Sequence, residues 1–360
     1  MSELKLKFYH VGDGDCLLIY LPDGTLGLVD SHVPGWMDDC PALVDILAHE
    51  RRELSFVCLT HPHADHYGGL KKILTDGRLT IAEFWHTIDD VQNFLMAMNT
   101  IQVPDIDDPW AELSEQYFVD QKKELIEVYE AALDLKEKKQ TKWRRMNEMK
   151  DLRAFAGCQF KSLSPSDNDI DRYVKKLGNQ KRKAIDQATV NNLSSVLLLR
   201  YAGVSILLGA DATSTGWKQI LNVAKQNAFE GELKSQVLKV SHHGAKDEHL
   251  ERLLIAIHKE GESYAIISAG SRTHPHRECI KVLKESGRRI FTTGLGGPSF
   301  VRSSATRAGL NDDIMTFLDE FSSDANDPQA YCCGTIEVTI SVTGTVSVKT
   351  EHLPRCPDCG

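Results

Sequence analysis

The stretch that most constrains this chain is the apolar run Leu54-Ser55-Phe56-Val57-Cys58-Leu59, followed at once by Thr60-His61-Pro62-His63-Ala64-Asp65-His66. The run has the length and composition of a buried strand. Gly68-Gly69 then leads into Leu70-Lys71-Lys72-Ile73-Leu74, which reads as a helix. A strand that delivers three imidazoles and a carboxylate to its own C-terminal end fixes metal ligands at a sheet edge. Neutral imidazole together with carboxylate suits zinc, manganese or iron. A metal-free, His-rich polar loop is the competing reading, and the spacing H-x-H-x-D-H is far more specific than a lone histidine.

Further apolar runs end in the same residue types. Leu207-Leu208-Gly209-Ala210-Asp211 ends in a carboxylate, which could equally cap a helix beginning at Ala212-Thr213. Val237-Leu238-Lys239-Val240-Ser241-His242-His243-Gly244 ends in two histidines. Ala265-Ile266-Ile267-Ser268-Ala269-Gly270 is followed by His274-Pro275-His276. Strands that repeatedly end in His or Asp point to one shared site. Ligand arithmetic favours two metals, since a catalytic metal takes three protein ligands and a water. His61 and His63, on alternate positions of an extended turn, point to one. Asp65 and His66 face the other, and Asp211 is the candidate bridge. Asp65 is expected to orient the nucleophilic water as well as to ligate. One of His242, His274 and His276 would donate a proton to the leaving oxygen. Asp30, at the end of Leu26-Gly27-Leu28-Val29-Asp30, is the candidate to hold an imidazole N–H from behind, and a simple turn residue is its alternative. His10, His32, His49, His86, His249, His258 and His352 lack this context.

The rest of the chain alternates strand-like and helix-like segments, which predicts a layered α/β protein. Residues 88–155 depart from this and read as a mostly helical insertion. Glu112 to Lys150 is nearly free of Gly and Pro, and Leu125, Val128, Ala132 and Leu135 recur at helical spacing, so a long helix or helical hairpin is expected there. A solvated insertion, a cap over the site or a homodimer arm are its readings. Arg172 to Lys183 is strongly basic and includes Lys181, Arg182 and Lys183. It precedes Asn191 and either attracts phosphates at a cleft mouth or is a solvated loop. Gly334 to Lys349 alternates as a terminal strand pair turning at Thr343-Gly344, so the main domain spans 1–350. The tail 351–360 carries Cys356-Pro357-Asp358-Cys359, and with Cys332-Cys333 upstream a zinc ribbon is the alternative to free thiols.

With 360 residues the chain can bury a large core. Its net charge of −9 argues against nonspecific nucleic-acid binding by the whole surface, though not against a local basic patch. No run approaches membrane-spanning length and no signal peptide is visible, so a cytoplasmic location with reduced cysteines is expected, with no membrane partner.

These motifs resemble the metallo-β-lactamase superfamily, on Asp30 in Leu-Val-Asp-Ser, His61-x-His63-x-Asp65-His66, Asp211 in Gly-Ala-Asp and the later histidines. The nearer likeness is to the branch seen in the soluble domain of ComEC-type DNA-uptake proteins and in phosphorylcholine esterases. Val11-Gly12-Asp13-Gly14-Asp15, Asn191-Asn192-x-Ser194-x-Val196-Leu197, Ser241-His242-His243-Gly244 and His274-Pro275-His276 look like that branch's boxes. The resemblance implies an αββα sandwich with a binuclear site between two sheets. The second metal would take Asp65, His66, Asp211 and His243. The superfamily's third histidine on the first metal is replaced, with Asn191 near its place, which implies a weaker first site and two divalent ions that are zinc or manganese. The implied activity is a hydrolase, with phosphodiester or nucleic-acid substrates favoured by the basic run. A small ester, lactone or β-lactam is the second reading, and a non-catalytic metal-binding regulatory module the third.

Overall fold

The computed structural model describes residues 3–100, 111–179, 187–246, 250–269, 274–294 and 334–351. Within them the chain forms two facing sheets with helices outside each. The first sheet contains β1 (Leu4–Phe8), β2 (Cys16–Tyr20), β3 (Leu26–Ser31), β4 (Glu53–Cys58), β5 (Thr80–Ile81), β6 (Glu83–His86), β7 (Lys142–Arg145), β15 (Thr335–Ile340) and β16 (Val346–Glu351). The second contains β8 (Lys150–Asp151), β9 (Gln159–Ser162), β10 (Leu197–Tyr201), β11 (Val204–Leu208), β12 (Val237–Lys239), β13 (Tyr264–Ile267) and β14 (Arg289–Thr292). In each sheet an antiparallel half adjoins a parallel half. β3, β4, β6 and β7 run parallel in the first sheet, as do β11 to β14 in the second. Parallel neighbours finish at the same edge, so the segments after β3, β4, β11, β12 and β13 are set along one rim, where open α/β sheets build sites.

Side-chain alternation explains the layering. In β1, Leu4, Leu6 and Phe8 enter the space between the sheets while Lys5 and Lys7 lie on the other face. In β11, Val204, Ile206 and Leu208 do the same from the opposite side, and Leu207 faces outward under helices. The inter-sheet core centres on aromatic packing. Phe56 and Trp85 stack with centroids 4.0 Å apart, and Phe160 meets Phe56 edge-on at 5.1 Å.

Helices cover both outer faces. α5 (Ala111–Glu137) lays Leu125, Val128, Tyr129 and Ala132 on the first sheet, in one cluster with Leu28, Val57 and Phe84. α8 (Ser214–Gln226), α9 (Leu250–Ala256) and α10 (Arg277–Glu285) cover the second sheet through Trp217, Ile220, Leu253 and Leu283. The expected αββα sandwich is therefore the fold. Among the described residues, no helix is long and apolar enough to cross a membrane.

Two expectations need correction. The helix expected from Glu112 to Lys150 stops at Glu137, and no second helix follows. Lys139 adopts φ +57° and Gln140 N–H returns to Leu135 O at 3.0 Å, so a lysine takes the left-handed stop usually given to glycine. The chain then enters the first sheet as β7, where the Arg144 guanidinium meets the buried Glu83 carboxylate at 2.8 Å. Arg172 to Leu177, for which a solvated loop is one of two readings, lies in helix α6 (Asp167–Asn179), whose Ile170, Tyr173 and Leu177 join the outer core. Lys181, Arg182 and Lys183, the four cysteines at 332–333, 356 and 359, and His249 and His352 lie outside the described residues.

Candidate metal centre

The site begins at Asp30, the penultimate residue of β3, buried and held at φ +55°. Its Oδ1 accepts the Thr60 N–H at 2.8 Å. Its Oδ2 accepts the Thr60 hydroxyl at 2.6 Å and the Nδ1–H of His66 at 2.7 Å. A buried carboxylate that accepts from Nδ1 fixes the tautomer and aims the other ring nitrogen away from itself. His66 sits on the short helix α2 (Ala64–Tyr67), where its N–H bonds the His63 carbonyl at 3.0 Å. That turn brings Asp65 and His66 back toward the rim.

His66 Nε2 faces Asp211 Oδ1 at 3.4 Å and Asp65 Oδ2 at 3.9 Å. His243 Nε2 lies 3.5 Å from both Asp65 Oδ2 and Asp211 Oδ2, and its Nδ1 donates to the Ser268 carbonyl at 3.1 Å. His61 Nε2 is 4.0 Å from Asp211 Oδ2, and His63 Nδ1 is 4.0 Å from Asp65 Oδ1. Among the described residues three donor groups result: Asp65, His66, Asp211 and His243; His61, His63 and Asp211, which shares Asp211 with the first; and Asp15, Asp30 and His66, where His66 Nδ1 already bonds Asp30.

The donor set fits divalent ions. His61 Nε2, His66 Nε2, His243 Nε2 and Asp211 Oδ1 are buried and make no hydrogen bond, a costly arrangement for a chain to keep. The separations of 3.4–3.5 Å are long for hydrogen bonds. They match the edge of a tetrahedron whose ligands each lie about 2.1 Å from a central ion, about 3.4 Å. Charge agrees. Burial would raise the Asp211 carboxyl, yet His243 and His66 hold it well below its ordinary range. Burial would lower His243, yet Asp211 and Asp65 lift it to about 10. The carboxylates draw positive charge onto the rings, the place a metal ion would take on displacing those protons.

His242 and His243 follow the same strand but diverge. Both take left-handed backbone, at φ +50° and +53°, in the turn Ser241–Gly244. Gly244 continues at φ +74°, and a Cβ there would lie 2.9 Å from Pro275 Cβ. The turn sends His243 into the buried cluster. It leaves His242 partly exposed, with Nε2 3.4 Å from Asn191 Nδ2 and its ring 5.8 Å from that of His274. Asn191 ends the short helix α7 (Gln187–Asn191). His276 acts locally as the cap of α10, its Nδ1 accepting the Glu278 N–H at 3.3 Å.

Residues 11–132 match the family model described as the metallo-beta-lactamase superfamily. Over that third of the chain, the sequence resembles the metallo-beta-lactamase superfamily. The match takes in Asp15, Asp30 and His61 to His66, while Asp211 and His243 come from beyond it. Over 118 residues the chain is 32% identical to ComE operon protein 3 of Bacillus subtilis (strain 168), a stretch covering 32% of this chain and 14% of that protein. Among solved structures, a mutant of the CmlA beta-hydroxylase is 13% identical with a TM-score of 0.40, covering 92% of this chain and 52% of that one. Zn(2+)-bound PqqB from Methylobacterium extorquens is 11% identical at 0.36, covering 84% and 81%. A diphosphatase from the PhnP family is 12% identical at 0.36, covering 82% and 78%. These structural likenesses are too loose to assign a substrate.

Two residues at the candidate metal centre were not singled out from the sequence. Asp15 and Lys239, both buried, form an ion pair immediately behind the cluster. Lys239 had a detectable signal, as a lysine within the apolar run Val237-Leu238-Lys239-Val240. Asp15 stood in the Val11 to Asp15 box without a role.

Proposed function

We propose that this chain is a metal-dependent hydrolase of phosphodiesters, with nucleic acid the favoured substrate class. The reading is carried by the two donor groups that share Asp211, each buried but for one member, Asp65 or His63. Their donors are imidazole and carboxylate without thiolate, a set suited to zinc or manganese. Divalent ions bound there would supply Lewis acidity toward a phosphoryl oxygen and activation of water. The chain's own part is orientation. Asp30 and the Ser268 carbonyl fix the tautomers of His66 and His243. Asp65, partly exposed at the mouth, is placed to hold the attacking water by a hydrogen bond. His242 and His274, side by side on the open flank, are placed to hold the leaving oxygen.

The preference for phosphodiesters rests on the flank near Asn191. Lys176 of helix α6 donates from Nζ to Thr189 Oγ1 at 2.6 Å, two residues before Asn191, while Arg172 on the same helix pairs with Asp169 at 3.2 Å. A cation held beside Asn191 suits a polyanion. The free thiols of Cys16, Cys40, Cys58, Cys158 and Cys279 fit a reducing compartment such as the cytoplasm.

The test combines metal analysis with a substrate panel: bis-p-nitrophenyl phosphate, single- and double-stranded DNA, RNA, cyclic dinucleotides, choline phosphodiesters and β-lactams. Metal-dependent phosphodiester turnover that Asp65→Ala abolishes, with the fold intact, is expected. Turnover of a β-lactam or ester alone would replace the substrate reading. Protein that binds no metal would end the hydrolase reading.

A further inference from the structure

Lys239 stands where the alternation of β12 calls for an apolar side chain. Val237, on the same face, packs between the sheets, and Leu238 faces the outer helices, so Lys239 is directed into the inter-sheet space. It is only 4% exposed, and an unpaired ammonium there would be costly. Its Nζ donates to Asp15 Oδ2, from the loop between β1 and β2 in the opposite sheet, and to the Ala210 carbonyl at 3.3 Å. The pair thus bridges the two sheets.

Both members also hold the main chain of candidate ligands. Asp15 N–H donates to the Asp65 carbonyl at 3.0 Å, and Asp15 Oδ2 lies 3.8 Å from His66 Nδ1. On the other side, Ala210 directly precedes Asp211, and the Lys239 carbonyl accepts the Gly209 N–H at 3.1 Å. Beside the pair is a cavity of about 20 Å³, whose lining includes Phe8, Leu17, Val29 and Leu208 as well as Asp15 and Lys239. Side-chain packing therefore leaves a small gap between the sheets beside the pair.

We propose that Lys239 and Asp15 are positioning residues, an ionic bolt across the two sheets that sets the placement of Asp65 and His66 relative to Asp211 and His243. The pair acts through the Asp65 main chain and the Ala210 carbonyl and touches no substrate. Its ammonium also offsets one of the negative charges that Asp15, Asp30, Asp65 and Asp211 bring to the site. The inference rests on the metal-centre reading above.

The experiment loads the full chain with Co(II) and measures affinity by chelator competition and ligand geometry by visible absorption. In Lys239→Met, similar in length but uncharged, Co(II) affinity falls about tenfold or more and the spectrum shifts, the scale of loss usual when support behind a ligand is removed. Lys239→Arg, which keeps the charge and donors, recovers most of both. A purely structural lysine would lower the melting temperature and leave the spectrum of the folded protein unchanged. Wild-type affinity and spectrum in Lys239→Met would overturn the proposal, as would a folded Lys239→Arg no better than Met. If Lys239→Met does not fold, Asp15→Asn carries the test: the same weakening is expected, and wild-type values overturn the pair. Wild-type protein that takes up no Co(II) would instead overturn the metal centre itself.

Discussion

The Asp30 carboxylate accepts the Nδ1–H of His66 at 2.7 Å from a backbone held at φ +55°. One carboxylate therefore fixes the tautomer of a ring whose other nitrogen, 3.4 Å from Asp211 Oδ1, faces the donor cluster. Asparagine tolerates left-handed backbone and keeps the shape of Asp30. Asp30→Asn should fold, yet bind zinc or manganese about 10–100-fold more weakly by chelator competition. Unaltered affinity would remove Asp30 from the metal centre.

Chelation should destabilise the protein. An ion that binds only the folded chain adds about 2.7 kcal/mol when present at 100 times its Kd. Stripping the metal with a chelator should lower the melting temperature by several degrees, and added zinc or manganese should restore it. A melting temperature indifferent to both treatments would contradict the assignment of the buried donors of His61, His66, Asp211 and His243 as ligands.

His86 supplies a pH dependence apart from that cluster. It is buried, with its ring 4.7 Å from that of Trp143. Burial, aided by Lys136 and Arg145, pushes its pKa down to about 3 from the ordinary 6.5. As pH falls below 6.5 the unfolded chain takes up a proton that the folded one refuses. Stability present above pH 6.5 is therefore lost on the way down to about pH 3, at up to about 1.4 kcal/mol per pH unit. Urea unfolding between pH 6 and 4 should show a slope shallower by about one proton in His86→Gln than in wild type. Equal slopes would rule out a neutral buried His86.

Helix α5 is part of the core layer rather than a detachable arm. Val128 is fully buried with Leu125, Tyr129 and Ala132, whereas Glu130 is exposed. Val128→Asp would bury an unpaired carboxylate at a cost of several kcal/mol, so loss of cooperative unfolding is expected. Glu130→Lys should unfold like wild type. A Val128→Asp protein of full stability would show α5 to be a solvated insertion after all.

Local features were legible in the sequence where a few residues suffice to specify them. The run Leu54 to Leu59 marked a buried strand, and Thr343-Gly344 marked the turn between β15 and β16. The stop at Glu137 was hidden because Lys139, not glycine, takes the left-handed position. The strand Lys142–Arg145 was hidden because its reasons are β6 alongside it and the buried Glu83.

At the candidate site, the local order of residues named the types that follow each strand. Only the tertiary structure decided how they meet. Parallel order in both sheets brings those segments to one rim. Two left-handed residues and the packing of Gly244 against Pro275 turn His243 inward and His242 outward. Asp15 and Lys239, separated by 224 positions, meet only because the sheets face each other. Periodicity and turn chemistry act over a few residues and can be read along the chain. The placement of a buried charge depends on which distant charge the packing sets against it.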